Sequence, residues 1–155
     1  MAFRLILCEK TQRWAIPLRM ALRCAAENDK RAPQQPLIAE TRSLSQAEAA
    51  LGGSPGSILA IEVTAANLPG VVGLLLRIGS RPREAVIALL DEETAAAEAL
   101  LREAGAVGIC RTTCEAPAAA RLIHRHWQQT PAAAGNSATD ISSQLPWPEY
   151  GVTGG

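Results

Sequence analysis

Short apolar runs alternate along this chain with longer stretches whose apolar positions recur at helical spacing. That alternation is the pattern of a parallel sheet covered by helices. The first run, residues 3–8 (FRLILC), is followed by Leu18, Ala21, Leu22 and Ala25 at i, i+3, i+4 and i+7, with Arg19 and Arg23 off that face. Pro17 lacks an amide proton, so it either opens this helix or kinks it. Beyond the polar stretch 28–36, residues 37–40 predict a weaker second strand. The capping-box spacing of Ser45 and Glu48 predicts a short helix toward Leu51, stopped by Gly52, Gly53, Pro55 and Gly56. Residues 57–63 (SILAIEV) read as a central strand buried on both faces.

Residues 68–78 carry Val71, Val72, Leu74, Leu75, Leu76 and Ile78, too many to face one sheet. Either this helix is covered all round, or its outer face meets another protein. Residues 85–90 (AVIALL) predict the fourth strand, and Asp91, Glu92 and Glu93 place acidic groups where the start of a helix over 95–104 favours them. Gly105 ends that helix, 107–111 form the fifth strand, and 116–127 a last helix with Pro117 in its first turn. Residues 1–127 therefore make one domain of five βα units. From Gln128 the periodicity stops and Pro, Ala, Gly, Ser and Thr dominate, so 128–155 are expected to be a disordered tail. Within it, PWPEY (146–150) holds Trp147 and Tyr150, which either pack back on the domain, dangle, or form a proline-framed docking motif.

Composition narrows the classes. A chain of 155 residues that is 48% hydrophobic can bury a full core, and its zero formal charge gives no general attraction to nucleic acid or an anionic membrane. No apolar run nears the roughly 20 residues needed to span a bilayer, and the N-terminal run lacks the small-residue cleavage site of a signal peptide. Cys8, Cys24, Cys110 and Cys114 form no CxxC pair, which points to a reduced, cytoplasmic protein. The excess of Arg over Lys and the abundance of Ala hint at a GC-rich bacterial genome.

In a doubly wound sheet, ligands bind at the carboxyl ends of the strands, near the reversal of strand order. Cys8, Glu9, Glu62, Leu90, Asp91, Arg111, Thr112 and Thr113 are expected there. Three stretches, RLILCEK, SILAIEV and REAGAVGICRTT, are similar to the first strand, the third strand and the helix-four to strand-five passage of response-regulator receiver domains. The resemblance spans residues 3–127 and is one of pattern, with little motif identity. It implies a flavodoxin-like (βα)5 fold with strand order 2-1-3-4-5, and a degenerate member, a pseudo-receiver. Carried over by position, Cys8 and Glu9 stand for the family's acidic pair, and Glu62 for its phospho-accepting aspartate. Leu90 stands for the hydroxyl residue and Thr112 for the lysine, with Arg111 beside it, while Pro69 and Gly70 only loosely match the proline and glycine after the acceptor.

Those replacements argue against ordinary phosphorylation. Cys8 offers Mg²⁺ a soft sulfur in place of a hard oxygen. Glu62 is one methylene longer than the acceptor, and a displacement of ~1 Å costs ~100-fold in positioned chemistry. Leu90 supplies no hydroxyl and Thr112 no cation. Glu62 either imitates a phosphorylated aspartate or is a solvated strand-end acid pairing with Arg111 or Lys10, and the second is favoured because a carboxylate supplies about one charge and two oxygens against a phosphate's nearly two and three. In receivers the surface of helix four, strand five and helix five contacts partners, which makes Arg102, Arg111, Arg121 and Arg125 candidates for such a face or for a solvated rim.

Other constellations are weaker. No GxGxxG follows the first strand, no GxxxxGK[ST] occurs, GGSPGS precedes a strand, and the CEKTQR loop is unlike a flavin-binding loop. His124 and His126 point to different helix faces, so they read as surface residues flanking a buried Trp127. Cys114, near a helix start, is a candidate redox-sensitive thiol, although ordinary small cysteines are commoner. The sequence thus favours a non-catalytic module with no cofactor, acting on signalling proteins such as a histidine kinase or another regulator, with a homodimer possible. One alternative keeps weak phospho-acceptance or divalent-cation binding through Glu9, Glu62 and Asp91. Another is a small enzyme or ligand-binding protein using the strand-end crevice, and a deep apolar pocket there would favour it. An exposed apolar stripe on the third helix, or self-association, would favour the signalling module.

Overall fold

A computed structural model describes residues 4–29 and 36–130; the expectations for Phe3, for 128–155 beyond Thr130, and for Trp147 and Tyr150 lie outside the described residues. Five parallel strands form one sheet: β1 (Arg4–Cys8), β2 (Leu37–Thr41), β3 (Ile58–Glu62), β4 (Ala85–Leu89) and β5 (Gly108–Cys110). Their order is 2-1-3-4-5, the flavodoxin-like arrangement, with β1 paired to both β2 and β3. The helices are α1 (Ala15–Asn28), α2 (Leu44–Gly52), α3 (Leu68–Ile78), α4 (Glu98–Ala104) and α5 (Ala116–Gln129), with short 3₁₀ turns over Ala95–Ala97 and Thr113–Glu115 leading into α4 and α5. α5 runs two residues past Trp127, the expected end of the last helix. Among the described residues no helix is long and apolar enough to cross a membrane.

The sheet sorts the core by side-chain alternation, since neighbouring residues of a strand point to opposite faces. Leu5, Leu7, Ile58, Ala60, Ile87 and Leu89 pack with Trp14, Leu18, Leu22, Ile123 and Trp127 beneath α1 and α5. Ile6, Cys8, Leu59, Ile61, Val86, Ala88 and Leu90 pack on the other face with residues of α2, α3 and α4. β3 and β4 are buried at every position, as their unbroken apolar runs require. Each large aliphatic side chain so buried stabilises the fold by roughly 1.5–3 kcal/mol before entropy is subtracted. At β5 the helix comes so close that a Cβ on Gly108 would lie 2.5 Å from the end of the Leu122 side chain, which would have to move to admit a larger residue. Gly105, in the left-handed conformation at φ +116°, ends α4 as expected.

One local expectation is corrected and two alternatives are resolved. α2 is capped by Ser43, not Ser45: its hydroxyl accepts from the Gln46 amide while Gln46 Oε1 accepts from the Arg42 amide. Glu48 instead pairs with Arg77 on α3. Pro17 sits in the opening turn of α1, where its missing amide would lack a helical partner anyway. α3 resolves in favour of coverage by its neighbours: Val71, Leu74, Leu75 and Ile78 are buried, Val72 packs against them, and of its apolar residues only Leu76 is strongly exposed.

Candidate functional site

The carboxyl ends of β1 and β3 converge where the strand order reverses, and a crevice of about 160 Å³ opens there. Cys8, Glu9, Lys10, Arg42, Glu62 and Asn67 line it. Of the five residues expected in a degenerate phospho-acceptor pocket, Cys8, Glu9 and Glu62 are therefore brought together. Leu90 is not: at 1% exposure it belongs to the core layer beneath α2–α4, because the alternation of β4 turns it inward. Thr112 is not either. It is exposed and caps the turn that leads into α5, in a capping box with Glu115.

Both carboxylates of the crevice are buried, Glu9 at 3% and Glu62 at 8% exposure, and both are engaged by the loop between β1 and α1. Glu9 accepts from the amides of Trp14 (2.8 Å) and Ala15 (3.1 Å), one to each oxygen, and so caps α1 from outside the helix. Glu62 accepts from the amides of Lys10 (2.7 Å) and Thr11 (3.3 Å) through Oε2 and from the Thr11 hydroxyl through Oε1. Between these anchors the loop turns through Gln12, a left-handed non-glycine residue at φ +56°. Arg42 closes one side by donating to the Glu9 carbonyl oxygen (3.1 Å), and Asn67 another by donating to that of Glu62 (2.8 Å). Glu62 is thus neither solvated nor paired with Arg111, and its partner in Lys10 is the backbone amide.

Asp91 is also committed. Its Oδ1 accepts from the Thr94 amide and hydroxyl (both 2.9 Å), and that hydroxyl holds the carboxyl below the usual carboxylate range. Among the described residues, no three His, Cys, Asp or Glu side chains converge on one point where a metal ion would sit. A cation entering the crevice would meet carboxylate oxygens already facing the positive ends of amide dipoles. Cys8 adds a thiol that burial pushes up from its ordinary value, so it rests protonated. At about 160 Å³ the crevice is also small beside ordinary ligand pockets of roughly 300–1,000 Å³.

The four arginines separate into two groups. Arg102 and Arg111 both reach Glu98, Arg102 at 3.1 Å and Arg111 through Nε at 2.7 Å with a second, shorter contact, and they hold its carboxyl below the usual range. Arg121 and Arg125 stand exposed on α5 beside a second, larger opening. This groove, about 820 Å³, runs between α1 and α5 and was not anticipated. Ile16 and Met20 project into it at 67% and 64% exposure. The sequence did carry a signal, since Ile16, Met20 and Cys24 recur at i, i+4 and i+8 as a stripe beside the buried face of α1.

The remaining candidates are structural. His124 and His126 are partly buried instead of being surface residues: His124 Nε2 lies 3.1 Å from Asp29 Oδ2 and its ring meets Trp127 edge-on at 6.3 Å. Burial lowers the His126 imidazole below its ordinary value. Burial also raises the Cys110 thiol to about 11, whereas Cys24 and Cys114 are exposed and both line the groove. No protein-family model, curated protein or solved structure matches this chain.

Proposed function

We propose that this chain is a receiver-like signalling module that acts through protein–protein contact and has lost ordinary aspartyl phosphorylation. The observation that carries this reading is the engagement of Glu9 and Glu62 by amides of the β1–α1 loop. In a working phosphoryl-transfer site, carboxylates must be available to a metal ion and to the incoming phosphoryl group. Here they hold the loop instead. Leu90 in the core and Thr112 at a helix cap remove two further groups that such chemistry uses. Partners in this reading are other signalling proteins in the reducing cytoplasm, and the bare groove between α1 and α5 is the surface best suited to them.

An amide NMR titration with Mg²⁺ and then beryllofluoride, a mimic of the phosphoryl group, tests the reading. The expected result is no saturable shift at Glu9, Lys10, Thr11, Glu62 or Thr112. Saturable shifts centred on those residues would overturn it and make the domain a phosphorylation switch.

A further inference from the structure

The groove between α1 and α5, about 820 Å³, is lined mostly by apolar side chains. Its floor is built from small residues, Ala21 and Ala25, so the space is left for side chains from elsewhere. Ile16 and Met20 stand over that floor with two-thirds of their surface in water, and methionine adapts its shape to whatever packs on it. The fully charged side chains of the lining are Arg121 and Arg125, both cationic, and no acidic residue lines it. An occupant should therefore bring large apolar or aromatic groups flanked by negative charge.

We propose that the occupant is this chain's own segment 140–150 (DISSQLPWPEY). Three observations converge on it. Residues 131–155 carry Asp140 and Glu149 but no Lys, Arg or His, the charge complement of the Arg121–Arg125 rim. The same stretch holds Ile141, Leu145, Trp147 and Tyr150, the bulky groups the floor lacks. The chain also leaves α5 at the groove itself, because Gln128 in the last turn of that helix is part of its wall. Reach is ample: Trp147 follows Thr130 by 17 residues, which span up to ~56 Å extended, against ~21 Å for the length of α5. A second copy of the chain fits less well, since a two-fold contact through this face would set Arg121 and Arg125 near their own counterparts.

A tethered segment needs little intrinsic affinity. Its effective concentration lies in the millimolar range, so a dissociation constant a few-fold lower keeps the groove mostly filled. Any partner docking there must first displace the segment, which makes it an autoinhibitory cover; that consequence rests on the protein-contact reading above.

The exposed thiols of Cys24 and Cys114 report on the groove, and the buried Cys8 and Cys110 serve as controls for folding. Full-length protein is treated with iodoacetamide and modification at each cysteine is followed by peptide mass. Trp147→Ala/Tyr150→Ala should speed modification of Cys24 and Cys114 about fivefold, and leave Cys8 and Cys110 protected. Arg121→Glu/Arg125→Glu should do the same, and adding Asp140→Arg/Glu149→Arg to it should restore protection. Equal rates in wild type and the aromatic variant would overturn the proposal. So would protection in wild type that vanishes on hundredfold dilution, which would assign the groove to a second copy. These outcomes are independent of the beryllofluoride titration, so either idea can fall while the other stands.

Discussion

The strand-end crevice and the α1–α5 groove are opposite uses of a surface opening. The crevice is small, and each carboxylate in it already holds two or more donors of the same chain. The groove is five times as large, lined by aliphatic side chains and alanines, with its two arginines exposed on the rim. A fold usually binds ligands at the strand ends, yet here the interactions that make that end chemically rich have been turned inward to build the β1–α1 loop. The lesson is that a charged cleft can be a structural element whose carboxylates are already committed to donors of the same chain.

The sharpest way to break this contrast is to remove a crevice carboxylate. Glu9→Ala would leave the Trp14 and Ala15 amides at the start of α1 without their acceptor, at a cost of about 1–3 kcal/mol. Urea denaturation should show that loss, and an unchanged midpoint would mean the carboxylate is not structural. Glu62→Ala should behave alike and shift the Lys10 and Thr11 amide resonances upfield.

The buried Cys110 thiol supplies a pH-dependent test. The Cys110 pKa of about 11 in the folded chain exceeds its unfolded value near 9, so the folded state keeps a proton that the unfolded state releases. Its contribution is therefore complete below pH 9 and is lost as pH rises from 9 to 11. The loss is on the order of 2 kcal/mol. Stability measured across that window should fall less steeply in Cys110→Ala.

Smaller effects follow on the surface. Arg111→Ala should barely move the thermal melt, because its exposed pair with Glu98 is screened by water and Arg102 remains on the same carboxylate. Least of all, Ile16→Ser/Met20→Ser should move the unfolding midpoint by less than about 0.5–1 kcal/mol, since both side chains already face solvent in the described fold. A large loss there would mean the groove is part of the stabilising core.

Much of this architecture was legible in the residues. The unbroken runs at 57–63 and 85–90 read as strands and contain β3 and β4, and Gly105 marked a helix end. The site was legible only as a set of positions. Cys8, Glu9 and Glu62 do meet, but apart from the Thr11 hydroxyl the donors that engage the two carboxylates are backbone amides of residues 10–15, which carry no side-chain signature. Leu90 was misplaced because the last residue of a strand faces the crevice or the core according to one step of the pleat. Thr112 had a visible alternative: with Glu115 three residues on, it forms a capping box, the same logic that located a helix start near Ser43 but two residues late.

The placement of the indoles has an optical consequence. Trp14 and Trp127 both lie in the core layer under α1 and α5, and the layer beneath α2, α3 and α4 contains no tryptophan. In a Trp147→Phe background, intrinsic fluorescence would watch one side of the sheet come apart while the other stays dark. Far-UV circular dichroism weighs helices on both sides. Superimposable curves from the two signals would mean that both layers melt as one body, and a fluorescence change that runs ahead would time the release of α1 and α5 from the sheet.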